Sequence, residues 1–215
     1  MNDETPTQAP DPVRVTGGGR FRKPPRMRFH LALVPPTLLV LWSASLPGTG
    51  FFMTMIGHLF IAVGAVVWLV RLLGNSLAEW KTTRMRGFRL SPWYLVAPLA
   101  GALVFGVLAV NAPLRLRWIA SKGDFQAAVR RAPPPTAKTT WQDFNVPGRL
   151  GLYRILGASR VGDGVIFDEA AGNFLDDAGF AFLPSGPFPE LENGSFENPQ
   201  FLALGDGWYA WTASW

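Results

Sequence analysis

The sequence predicts an α-helical transmembrane region of three spans, with its amino terminus inside and its carboxyl-terminal part outside, followed by a small β-rich extracytoplasmic domain. Three observations predict this. Long apolar runs occupy roughly residues 29–46, 51–70 and 93–112, basic residues gather on one side of them, and the second half alternates like strands around Gly-Asp-Gly turns. Runs of this length make helices of about 27–30 Å, close to the hydrocarbon thickness of a bilayer.

Orientation follows from the basic residues. Arg14, Arg20, Arg22, Lys23, Arg26 and Arg28 precede the first run, and Arg71, Lys81, Arg84, Arg86 and Arg89 lie between the second and third, whereas the turn Pro47-Gly48-Thr49-Gly50 carries no charge. Positive residues stay on the cytoplasmic side, so the tail and the 71–92 loop are expected inside and the turn outside. Trp42 at the outer end of the first run, and Trp68, Trp93 and Tyr94 at the inner ends of the others, suit the headgroup layer. Arg115 and Arg117, just past the third run, count against this orientation and are outnumbered.

Charge divides at the same place. Through Ile119 there are 13 basic and 4 acidic side chains, and from Ala120 onward 7 and 11, so a net charge of +5 conceals a basic membrane half and an acidic outer half. The positive charge lies beside the bilayer, where anionic lipids are the nearer partner, and no nucleic-acid module is present to make DNA or RNA the expectation. Cysteine is absent, which excludes disulfides, cysteine nucleophiles and thiolate metal sites, so the outer domain must fold on its apolar core. The content of Ala, Gly, Arg and Pro has a bacterial character.

The expected organisation runs as a disordered basic cytoplasmic tail (1–28), a three-helix membrane region with its cytoplasmic loop 71–92 (29–119), a short helix and Pro-rich linker (120–135), and an extracytoplasmic β domain (136–215). Ser43-Ala44-Ser45 offers a small-x-small cleavage site, so a cleaved signal rivals a retained first span. The polar stretch ahead of it, roughly 28 residues, is long for a signal and favours retention; cleavage would leave the remaining spans oriented as before. Leu77, Trp80, Met85 and Phe88 among basic residues suggest an interfacial segment within 75–90. Pro133-Pro134-Pro135 ends the short helix.

Inside the spans the side chains favour packing. Gly50, Gly57 and Gly64 recur every seven residues and share a face that lets another helix approach, in the same chain or another copy. Ala97 with Gly101 and Ala102 with Gly106 are further small-xxx-small pairs, and Pro35, Pro36 and Pro98 bend their helices. His58 is the ionisable residue deep in a span. It is read either as a proton- or ligand-linked intramembrane polar site or as a neutral imidazole bonded to a backbone carbonyl or to a hydroxyl such as Thr37 or Ser43. No intramembrane Asp, Glu, Lys or Arg accompanies it, which favours the second reading. His30 beside Arg28 is interfacial.

The outer half reads as strands. Tyr153 and Ile155 alternate with Leu152, Arg154 and Leu156, and Gly162-Asp163-Gly164 turns them into Val165–Phe167. Gly205-Asp206-Gly207 joins Phe201–Leu204 to Trp208–Thr212, and Gly179–Leu183 adds a strand with Phe180 and Phe182 on one face. Tyr209, Trp211 and Trp215 share a face, so the last strand is expected to close the core. The residues Gly151-Leu152-Tyr153, Phe174-Leu175-Asp176, Gly179-Phe180-Ala181 and Gly207-Trp208-Tyr209-Ala210-Trp211 together resemble a signature of uncharacterised actinobacterial multi-pass membrane proteins. That resemblance covers the last 70 or so residues and implies an envelope protein with no assigned activity.

No catalytic constellation emerges, and no cofactor is expected. Asp163, Asp168, Glu169, Asp176, Asp177, Glu190, Glu192, Glu197 and Asp206 supply carboxylates after residue 160 without a basic partner there. A pair of them could serve glycoside hydrolysis, or Asp168, Glu169, Asp176 and Asp177 could hold calcium off the EF-hand pattern; a solvated acidic surface suits a small domain without an outer histidine better. Asn193-Gly194-Ser195 reads as a turn or a glycosylation sequon. Gly17-Gly18-Gly19-Arg20 lacks the strand and Gly-Lys-Ser/Thr of a phosphate loop, and Ser43, Ser159 and Ser185 lack a nucleophile elbow. Two function classes follow. One is a membrane-anchored protein presenting an acidic β domain for binding or assembly with another envelope component, or with copies of itself; the other is a small carrier or channel component whose spans are the active part.

Overall fold

The computed structural model describes residues 26–48, 51–82, 91–170, 176–191 and 197–214. Most of the tail 1–28, together with Gly50, Met85, Phe88 and the Asn193-Gly194-Ser195 turn, lies outside the described residues. Within them the chain forms four helices, α1 (Met27–Ser43), α2 (Phe51–Thr82), α3 (Trp93–Ala109) and α4 (Ala112–Arg131). A seven-stranded antiparallel sheet follows, made of β1 (Trp141–Asp143), β2 (Arg149–Leu150), β3 (Tyr153–Val161), β4 (Gly164–Glu169), β5 (Asp176–Phe182), β6 (Glu197–Gly205) and β7 (Trp208–Ser214).

The expected three spans are reduced. Among the described residues one helix, Phe52–Gly74 within α2, is by length and composition long and apolar enough to cross a membrane, and α3 with α4 makes a second if that bent pair is one broken span. The physical reasons are local. Helix α1 holds 17 residues, about 26 Å of helix, and contains Pro35 and Pro36. Helix α3 also holds 17 residues and stops where Asn111 adopts the left-handed conformation (φ 53°), which turns the chain by 50° before Pro113 restarts it as α4.

Helices α1 and α2 form an antiparallel pair. Gly57 and Gly64 face α1: a Cβ on Gly57 would lie 2.6 Å from Val40 Cγ2 and 3.3 Å from the Pro36 carbonyl oxygen, and one on Gly64 would strike the Leu33 side chain. Gly101 and Gly106 on α3 have nothing within 4 Å of the same position among the described residues. The start of α3 touches both partners. His30 stacks on Trp93 at 5.9 Å, Trp68 Nε1 donates to the Tyr94 carbonyl (3.2 Å), and the Tyr94 hydroxyl donates to the Arg71 carbonyl (3.3 Å). Gly57→Leu should therefore push α1 off α2, because the intruded atoms belong to Val40 and to backbone. Loss of a crosslink between cysteines placed at the facing positions Leu33 and Gly64 would register it, while the sheet domain keeps its melting behaviour.

The sheet order is β1-β3-β4-β5-β7-β6, with β2 pairing the first residues of β3. Both Gly-Asp-Gly segments turn the chain as their composition requires. Gly162 (φ 56°) sits in the β3–β4 turn, and Gly205, Asp206 and Gly207 (φ 98°, 54° and 75°) close β6 onto β7. Strand β7 lies inside the sheet between β5 and β6, so the terminal strand belongs to the core.

Alternation divides the sheet's side chains between two apolar layers. Tyr153, Val165, Phe167, Phe180, Trp208 and Ala210 face α4, whereas Val161, Ile166, Ala181, Trp211 and Ala213 pack under Leu183, Phe188 and Leu191 of the 183–191 segment. Helix α4 closes the first layer with Leu114, Trp118, Phe125 and Ala128, spaced to fall on one face. The short helix expected within 120–135 starts earlier, at Ala112, and supplies side chains to the domain's core. The proline segment after it lies along the β3–β4 hairpin, held by Arg160 Nε donating to the Pro133 carbonyl (2.8 Å) and Thr136 N donating to the Gly162 carbonyl (3.0 Å).

Candidate functional site

The residues that connect membrane-type helices to sheet domain converge on Ser45. The turn after α1 brings Ser45 and Leu46 against α4 and β3, and Leu46 is buried in the same layer as Leu114, Trp118 and Tyr153. Arg117 lies over the Tyr153 ring (4.5 Å to its centre) and donates from Nη1 to Ser45 Oγ (3.0 Å) and from Nη2 to the Leu152 carbonyl. The Tyr153 hydroxyl donates to the Ser45 carbonyl (3.2 Å). Ser121 completes the junction, its Oγ accepting from Leu152 N (3.0 Å) and donating to the Arg117 carbonyl (2.9 Å). Burial raises the Tyr153 hydroxyl above its ordinary pKa, with Arg117 opposing and Glu169 adding to the rise, so the ring remains a neutral donor and a face for the guanidinium.

Sequence reasoning missed this junction. Ser45 was visible only as part of a cleavage site, and Arg117 only as a charge opposing the orientation count. Their pairing spans 72 positions, and nothing in local spacing signals it.

Of the partners the sequence offers His58, the structure engages a backbone carbonyl and neither hydroxyl. Its Nδ1–H donates to the Thr54 carbonyl on its own helix (2.8 Å), while the Thr37 hydroxyl donates to the Leu33 carbonyl (2.8 Å) and the Ser43 hydroxyl pairs with Thr54 Oγ1 (2.6 Å). The two proposed hydroxyl partners are engaged elsewhere. The ring is exposed on the α2 surface, where it lines a shallow groove with Thr54, Met55, Leu59 and Ala62. Gly57 turns toward α1, so His58 and the glycine face do not meet.

Carboxylates gather at one place on the domain. A cavity of about 380 Å³ is lined by Asp143 and Asp168, the loop Phe144–Val146 and the β3 stretch Leu156–Ser159. Ser159 Oγ donates to Asp143 Oδ1 (2.6 Å), and a β-bulge between Ile155 and Gly157 sets Leu156 outward, 74% exposed, at the rim. Burial, followed by repulsion from Asp177 and Asp143, pushes the Asp168 carboxyl up to about 6. Asp163 accepts from Ser185 Oγ (2.7 Å), and Asp206 pairs with Lys122 (2.6 Å), so neither joins the cavity. Among the described residues no three His, Cys, Asp or Glu side chains are placed to hold a metal ion.

The raised Asp168 value has a signed consequence. Its native form holds the proton more tightly than the unfolded chain, whose value is near 3.8, so its contribution to stability is full below that pH and is lost as pH rises through about 6. Asp168→Asn should raise the melting temperature at pH 7.5 and bring little change at pH 4. Thermal unfolding of the two proteins at both pH values checks this; an equal difference at both would place the effect outside ionisation.

Comparison with known protein families, characterised proteins and solved structures finds no match for this chain.

Proposed function

We propose that this chain is a membrane-anchored envelope protein whose helices hold an acidic domain outside the cytoplasmic membrane for binding or assembly with another envelope component. The observation that carries the reading is the seat of Ser45 and Leu46 in the domain: a protein that merely tethers a domain needs no such contact, whereas one that presents it in a fixed pose does.

Three spans with an external carboxyl terminus are part of the proposal. The Phe52–Gly74 window is only 11% buried, and Leu99, Leu103 and Phe105 on α3 are 67–73% exposed, so these helices carry apolar surface that lipid would cover. Helix α1 runs beside α2, and its two ends meet opposite ends of the bundle, His30 at Trp93 and Leu46 at the domain. The basic tail and 71–92 loop favour the inner side and attract anionic lipids. Arg115 and Arg117, which opposed that orientation, are drawn to the domain: Arg115 Nη2 donates to the Ala203 carbonyl (3.4 Å) and Arg117 holds the junction. The actinobacterial signature belongs with this envelope reading.

The second reading, a carrier or channel component, draws on the exposed His58 in its groove on α2. Two experiments separate them. A phosphatase-type reporter fused after Trp215 should be exported and active, and crosslinking followed by pull-down from membranes should recover a partner through the domain. In reconstituted vesicles His58→Gln should leave assembly unchanged with no flux to lose. Proton or solute flux that disappears in His58→Gln would overturn the anchoring function in favour of transport.

A further inference from the structure

Helix α4 has a second apolar face that its domain does not use. Leu114, Trp118, Ser121, Phe125 and Ala128 face the sheet, and on the opposite side Leu116 (68% exposed), Ile119 (70% exposed), Ala120 and Gly123 form a continuous apolar stripe over the first three turns. A helix packed on one side of a water-soluble domain turns a polar face outward. Here the outer side becomes polar only farther along, from Asp124 through Gln126 to Arg130. The stripe is confined to the end that adjoins α3, beyond the 50° bend at Val110 and Asn111, and Val110 itself is 63% exposed.

We infer that the first three turns of α4 rest in the outer leaflet of the bilayer, with Leu116 and Ile119 seated among the lipid chains and the sheet domain riding on the opposite face of the same helix. The occupant of the stripe is lipid because α4 is continuous with α3. A helix leaving the bilayer obliquely wets its lower face only after it has risen clear of the headgroups, which is the order of residues seen. Arg115, exposed and beside the stripe, gives one Nη to the Ala203 carbonyl, and the rest of its guanidinium suits lipid phosphate at headgroup level. The helix thereby fixes the tilt of the domain as well as its distance from the membrane, in concert with the Ser45 junction. The inference rests on the proposed crossing of the membrane by α3.

The chain contains no cysteine, so single labels can be placed without background. In the full-length protein in phospholipid vesicles, spin labels would be attached through Leu116→Cys, Ile119→Cys, Gln126→Cys and, within α3, Leu103→Cys. Collision with oxygen, which concentrates in lipid, is compared with collision with a water-soluble nickel chelate. Labels at 116 and 119 should favour oxygen by severalfold, as at 103, and the label at 126 should favour nickel. Nickel-dominated collisions at 116 and 119 with an oxygen-dominated 103 would overturn the lipid seat and leave the α3 span standing. Nickel-dominated collisions at all four would overturn both. Shielding of 116 and 119 from both reagents, with dipolar broadening between labels, would replace lipid by a second copy and overturn the inference. The four sites are exposed, so labelling leaves the domain core intact.

Discussion

Residues 136–215 expressed alone are expected to remain unfolded, whereas residues 112–215 should fold into a cooperative unit. The shorter fragment holds every strand but lacks α4, leaving Tyr153, Phe167, Phe180 and Trp208 facing water where Leu114, Trp118, Phe125 and Ala128 should cover them. An uncovered sheet of this kind loses its main source of stability, since each large side chain contributes about 1.5–3 kcal/mol on burial. A domain stable by about 5–15 kcal/mol in total does not survive the loss of four such partners. Circular dichroism and thermal melts of both fragments, with detergent present to mask Leu116 and Ile119, provide the measurement. A cooperative melt from the short fragment equal to that of the long one would show that α4 is a passenger.

Phe125→Ala is the substitution expected to cost most among those that leave the chain intact, about 3–5 kcal/mol. Phe125 is fully buried, and its ring lies within 5.1–6.1 Å of the rings of Trp118, Tyr153, Phe167, Phe180 and Trp208, drawn from α4 and four strands. No neighbour can swing into the space without leaving another partner, because Trp118 is already stacked on Phe180 (4.9 Å) and Phe182 abuts Trp208 (5.1 Å). The denaturation midpoint of 112–215 should fall, with the denaturant slope unchanged if the domain still unfolds in one step. Phe125→Leu should recover much of the loss, separating a volume effect from a need for the ring.

The local features legible in the chain are those with local causes. Apolar runs became helices, both Gly-Asp-Gly segments turned hairpins, and the alternation of Tyr153 and Ile155 against Leu152, Arg154 and Leu156 separates buried from exposed positions. Composition could not show where a helix ends within a continuous apolar stretch. The third run reads unbroken over roughly 93–112, yet Asn111 in the left-handed conformation divides it, and the part beyond joins the domain.

The sequence by itself determined which segments are apolar enough to meet lipid, the separation of basic from acidic halves, and the positions of tight turns, because periodicity, charge and glycine act within a few residues. Only the tertiary structure decided that α4 is the domain's core helix, that Ser45 and Arg117 join helices to sheet, and that burial together with the nearby Asp177 and Asp143 raises the proton affinity of Asp168. Those outcomes depend on residues tens of positions apart meeting in space, and packing complementarity between distant faces leaves no short-range pattern to read.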